Sequence, residues 1–179
     1  MALTVRNSGE DRKWRELASL LGVIFSPPMV LNQVSEARVP YGSGPIPPPK
    51  SSPRQKLVIF TEHRDTLDYL IQRLGGMGYT GQIAQIHGGL HYTERQEQVE
   101  RFRLPHEDGG ARFMICTDAA AEGINLQFCW IMINFDVPWN PASLEQRMGR
   151  IHRYGQKHDP VQIVNSSIWS RRSWKVPRL

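Results

Sequence analysis

Five short, mostly apolar runs, at residues 56–60, 82–86, 112–116, 130–135 and 161–165, alternate with segments of helical periodicity, and nothing else in the chain limits the fold as much. Such runs suit strands buried on both faces. After the first, Leu67, Leu70, Ile71 and Leu74 share one helical face, and Gly75-Gly76 predicts a stop. After the second, His87-Gly88-Gly89 turns the chain. Thr93 and Gln96 then have capping-box spacing, and Val99 and Phe102 give the next helix, to about Arg103, its inward face. Strands separated by helices imply one α/β domain over about 54–165: an open, mainly parallel sheet with helices on both faces.

The flanking sequence is different. Trp14, Leu17, Leu20 and Leu21 predict a helix over 11–21 that ends at Gly22, within an N-terminal extension of residues 1–25. Residues 26–53 are too rich in proline, glycine and serine for regular structure and read as a linker. Within them, Gly42-Ser43-Gly44 and Lys50-Ser51 have the flavour of a phosphate loop. Pro49 occupies a position where a Walker A loop needs glycine, and no strand leads in, so an ATP loop is rejected there.

Composition excludes several classes. Of the 179 residues, 40% are hydrophobic and 22% charged, and no apolar run approaches the ~20 residues of a membrane span. Residues 1–7 lead into Ser-Gly-Glu-Asp-Arg-Lys rather than an apolar signal core, so a cytoplasmic protein is expected. Cys116 and Cys129 sit in apolar runs and read as small buried thiols. The net charge of +5 is misleading: Arg171, Arg172, Lys175 and Arg178 lie in the acid-free tail 166–179, so the body is near neutral. That tail, with Trp169 and Trp174, reads as a disordered or truncated end, with a nucleic-acid patch as the alternative.

The richest stretch begins at Asn140. Asn140 suits a helix N-cap and Pro141 the first helical position. On that helix Leu144, Met148 and Ile151 fall on one side, while Gln146, Arg150 and Arg153 fall within about 60° of one another on the other. Two guanidiniums aimed the same way repel unless an anion lies between them, and their planar forks suit phosphate oxygens. The competing reading is a solvated charged face. Thr117 and Asp118, at the end of the run 112–116, offer short acceptors, and Gly123 permits close backbone approach; as plain structure they form a helix cap and, with Glu122, a turn.

The string Gln146-x-x-Gly149-Arg150-x-x-Arg153, followed by Tyr154-Gly155-Gln156, resembles motif VI of superfamily 2 helicases, and its Gly-Gln ending resembles the Swi/Snf-type translocases. Thr117-Asp118 through Glu122-Gly123 to Gln127 is similar to motif V, in the correct order before it. Val58-Ile59-Phe60-Thr61 is similar to motif IV, and Ile86-His87-Gly88-Gly89 with Arg95 and Phe102 to the segment that follows. The resemblance covers about 54–165 and is nearest to the bacterial and archaeal Swi/Snf-like group. It implies a RecA-like second lobe in which Arg153 is the arginine finger, Arg150 its γ-phosphate companion, and Gln146 an ordering residue. It places Glu122, Gly123, Asp118 and Gly149 at the nucleotide or the lobe interface. Thr61, His87, Gly88 and Thr117 are then expected on a nucleic-acid backbone, in contacts blind to sequence.

No Walker A string or acidic Walker B box occurs in the chain, so ATP and Mg²⁺ are expected to be held mainly by a separate N-terminal lobe, and this chain is not expected to hydrolyse ATP alone. Double-stranded DNA is the expected nucleic acid, with no membrane partner. The alternative is a non-catalytic nucleic-acid or protein-binding module, a degenerate or truncated piece of such a motor. His87 and His91 flank a turn with no third ligand, so no metal site is expected. His152 reads as a partner-contacting histidine and Trp139 as a packing anchor.

Overall fold

The computed structural model describes residues 2–25, 55–118, 123–151 and 162–165, with side chains from residue 12 in the first segment. The expected linker 26–53 and tail 166–179 lie outside these residues. The chain divides into two compact units, Met1–Gln55 and Lys56–Leu179. In the first, α1 (Ala2–Phe25) buries Trp14, Leu17, Leu21 and Ile24, a helical stripe. The expected stop at Gly22 does not occur. A helix-interior glycine costs about 1 kcal/mol against alanine, whereas burying Ile24 one half-turn later returns about 1.5–3 kcal/mol.

The second unit holds five parallel strands: β1 (Leu57–Thr61), β2 (Ile83–Ile86), β3 (Phe113–Thr117), β4 (Ile131–Asn134) and β5 (Gln162–Asn165). Their order is β2-β3-β1-β4-β5, so the first strand is central and the chain builds outward on both sides. Each strand forms within a residue or two of its apolar run. In register, Val58 stands beside Met114 and Met132, and Phe60 beside Cys116. These residues share one core with Ala84 and Ile86, with Val99 and Phe102 of α3 (Tyr92–Arg103), and with Ile151 of α4 (Pro141–Ile151). Their alternates, including Ile59, Ile115 and Ile133, face the other side. There α2 (Arg64–Leu74) packs on β1 and β3 through Leu67, Leu70 and Leu74. Helices therefore cover both faces, as the unalternated strands require.

One helix boundary in this unit matches expectation and one differs. The α-helix α2 ends at Leu74 with Gly75 as its cap, where Gly75-Gly76 predicts the stop, and a π-type turn follows over Gly75–Tyr79 and breaks at Gly78, whose φ of 91° suits glycine. Tyr79 then meets the Phe113 ring edge-on at 4.8 Å. At α3 the capping-box acid is Glu94, not Gln96: the His91 N–H donates to Glu94 Oε2 (2.7 Å), so the helix begins one residue before Thr93.

Lys56 has a part that the sequence did not disclose. Its ammonium donates to the carbonyls of Leu104 (2.7 Å) and Ala111 (2.8 Å) and lies over the Phe102 ring. It closes the loop between α3 and β3, and burial lowers its pKa. Gly110 completes that closure, because a Cβ there would lie 1.9 Å from the Leu104 carbonyl oxygen.

Candidate nucleotide-facing edge

In an open parallel sheet the functional edge is the one at the strands' C-terminal ends. Here β1 ends at Thr61, β2 leads to His87, β3 leads to Asp118, and β4 ends at Asn134, followed by Asp136 and α4. The cap of α4 forms as its sequence dictates: the Ala142 N–H donates to Asn140 Oδ1 (3.0 Å), and Pro141 opens the helix.

The residue that organises this edge is Arg147. Its side chain is 2% exposed. Nε donates to Asp118 Oδ1 (2.5 Å) and Nη2 to Asp118 Oδ2 (2.6 Å), a two-pronged ion pair. Nη1 donates to Asn134 Oδ1 (3.0 Å) and to the Asp136 carbonyl (2.6 Å). Beneath the guanidinium lies the Phe60 ring, 5.5 Å to its centroid. Asn134 also donates through Nδ2 to Asn165 Oδ1 (2.8 Å), and the Thr61 hydroxyl donates to Asp136 Oδ2 (2.6 Å). One arginine thus ties α4 to β3 and β4 and rests on β1.

Helix periodicity contained a sign of this. At about 100° per residue, Arg147 falls about 40° beyond Ile151, at the border of the arc of Leu144, Met148 and Ile151, and a charge bordering an apolar stripe is within reach of a buried partner. Asn134, a polar residue in an otherwise apolar strand, was the matching sign.

The expected site residues separate into groups. Gln146 is exposed, Gly149 and Arg150 are half-buried, and none of the three side chains takes part in the Arg147 clasp on α4. Asp118 is 34% exposed, and both its oxygens accept from Arg147. Gly123 is exposed with φ 79°, a left-handed conformation that fits its glycine. Glu122, His152 and Arg153 lie outside the described residues. Thr61 and Thr117 are buried strand-end residues. A Thr61 contact to an external phosphate would require its bond to Asp136 to open. Trp139 is 98% exposed, contrary to its expected role as a packing anchor: it lies in the loop that leaves β4, where the Asn140 cap already fixes the turn without it.

His87 and Gly88 stand together at the end of β2. His87 Nδ1 accepts from Arg64 Nη1 (2.8 Å) and from the Gly89 N–H (3.2 Å). Two donors on Nδ1 put the proton on Nε2 and keep the ring neutral. Burial first, and then the Arg64 charge, lower the His87 pKa below 6.5. Among the described residues no group of three or more His, Cys, Asp or Glu could hold a metal ion. No helix among them is long and apolar enough to cross a membrane.

A five-stranded parallel RecA-like sheet, with an arginine-bearing helix clasped to its C-terminal edge, defines the class as the C-terminal lobe of a superfamily 2 helicase. The profile of the helicase conserved C-terminal domain matches residues 45–155, and the chain belongs to that family. It is 46% identical over 110 residues to an uncharacterized ATP-dependent helicase, YqhH, of Bacillus subtilis (strain 168), covering 62% of this chain and 18% of that protein. It is similar to the crystal structure of the C-terminal part of the Fun30 ATPase domain, at 29% identity and TM-score 0.55, over 62% of this chain and 34% of that one. The C-terminal domain of the DEAD-box protein Dbp5 is similar at 25% identity and TM-score 0.50, over 63% of this chain and 60% of that one. The chain thus spans about a fifth of the length of its Bacillus relative.

Proposed function

We propose that this chain acts as the second lobe of a Swi/Snf-like, ATP-dependent DNA helicase or translocase, facing an N-terminal lobe that carries the Walker A and B boxes. The observation that carries the reading is the outward face of α4. Gln146, Gly149 and Arg150 share it, and the half-buried Arg150 has no ion-pair partner among the described residues. Arg150 would reach the γ-phosphate and Arg153, three residues on in sequence, would act as the finger, both stabilising charge that develops during phosphoryl transfer.

The donor set fits half of an ATP site. Guanidiniums suit the phosphate oxygens. A Mg²⁺ ion needs free carboxylate oxygens, and those of Asp118 are both engaged by Arg147. The engagement of Asp118 supports a reading in which the other lobe would hold the metal.

On the nucleic-acid side, His87 Nε2–H and the Gly88 backbone would meet the phosphate backbone, with Thr117 beside them. Thr61 joins them only when its Asp136 bond opens. Such contacts carry no base information, which a tracking motor requires. Duplex DNA is the proposed substrate.

The test joins the full chain behind a Walker-bearing helicase N-terminal lobe and follows duplex-stimulated ATP hydrolysis. Arg150→Ala and Arg153→Ala should each lower kcat by about 10³-fold or more, the range of arginine-finger losses. Variants that turn over at the parent rate would refute the assignment.

A further inference from the structure

The motif-based roles leave Arg147 unassigned, although it is the most heavily bonded side chain at this edge. We propose that Arg147 is a positioning residue: by clasping Asp118 it sets the rotation of α4 about its own axis, and with it the direction in which Arg150 leaves the helix. The inference rests on the reading of Arg150 as a γ-phosphate residue.

The apolar contacts of α4 do not fix that rotation. Of its inward apolar residues among those described only Ile151 is fully buried, while Leu144 and Met148 are half-buried. Apolar burial has no preferred direction. A guanidinium is a rigid plane, and this one is held at three separate places: the Asp118 carboxylate after β3, the Asn134 side chain, and the Asp136 carbonyl after β4. A helix pinned in this way can neither roll nor slide without breaking charge-assisted bonds.

The geometry makes small rolls matter. With side chains a helix is about 5–6 Å in radius, so a roll of about 20° moves a group on its outer face by about 2 Å. Misplacing a catalytic group by about 1 Å can lower a rate about 10²-fold. Arg150 lies three residues beyond Arg147, close enough to inherit any roll. A second tie, from the Leu126 N–H to the Arg150 carbonyl (3.0 Å), joins the same two segments one turn later. Asp118 and Leu126 are thus each bonded to α4, at Arg147 and at Arg150.

A clasp that served only stability would tolerate replacement by apolar residues of similar volume, since buried ion pairs are often matched by such groups. That separates the two roles. In the fused protein, Arg147→Met/Asp118→Leu removes both charges and keeps volume, and Arg147→Lys keeps the charge but loses the fork. The double variant, which leaves the Asn134 and Asp136 acceptors without Arg147, should melt below the parent but remain folded at about 25 °C, and there show kcat at least about tenfold lower with KM for ATP within about twofold. Arg147→Lys should fall between the two. In an Arg150→Ala background the double change should lower kcat no further, because Arg147 acts through Arg150.

Parent-like kcat in the folded double variant, or losses that multiply in the Arg150→Ala background, would overturn the inference. If the double variant fails to fold, Arg147→Lys decides by the same split: a lowered kcat at constant KM supports positioning, and an unchanged kcat overturns it. Absence of DNA-stimulated hydrolysis in the parent fusion removes the reading of Arg150 and this inference together, a result distinct from an active parent with indifferent Arg147 variants.

Discussion

His87 shows how two hydrogen bonds can decide a charge. With Nδ1 accepting from Arg64 and Gly89, protonation would set three positive or donor groups against one another. The folded pKa is depressed, so folding favours the neutral ring, and the linked stability is fully present above about pH 6.5 and lost as pH falls below it. A histidine titration by NMR should give a midpoint below 6.5 that rises in Arg64→Ala; a midpoint at or above 6.5 would contradict the assigned tautomer. Arg147 illustrates the limit of reading such residues from sequence. Placing Gln146, Arg150 and Arg153 on the outer face of α4 by angle left Arg147, at the border of the apolar arc, without a role, because only tertiary contact reveals that Asp118 and Asn134 are there to receive it. Arg150 was legible as an outward-side residue for the opposite reason: its neighbour on the wheel, Gln146, is exposed.

At the level of elements, the strands were legible and the helix ends only in part. Strands buried on both faces must be apolar throughout, so β1, β3 and β4 stand out from their surroundings. The start of α4 was legible because Asn140 and Pro141 act locally, without help from distant residues. Asn140→Ala should cost about 1 kcal/mol in chemical denaturation, and Asn140→Asp should cost little. An unchanged midpoint for the alanine variant would mean that the cap does not hold the helix. The stop of α2 was legible in the same way, since it ends at Leu74 with Gly75 as its cap. The end of α1 depended on packing: the helix penalty of Gly22, about 1 kcal/mol, is smaller than the gain from burying Ile24, so composition alone misplaces that stop.

Over the whole molecule, the central position of β1 explains why one edge can gather so much. The chain starts in the middle of the sheet and adds strands to either side, so the ends of β1, β3 and β4 lie side by side while their loops come from distant parts of the sequence. The same burial silences chemistry elsewhere. Cys116 and Cys129 are fully buried, and burial raises both thiols, Cys129 to about 12. Neither should react with a thiol reagent at pH 8 until the protein unfolds, and reaction at the rate of a free thiol in the native state would contradict the packing of β3 and β4.

Half a site has a plain signature. The most direct measurement follows ATP hydrolysis in three samples: this chain alone, a Walker-bearing N-terminal lobe alone, and the two joined, each with and without duplex DNA. Hydrolysis that needs both lobes, rises with DNA and disappears in Arg153→Ala is the predicted result. Hydrolysis by this chain alone, or a joined protein indifferent to Arg153→Ala, would contradict it.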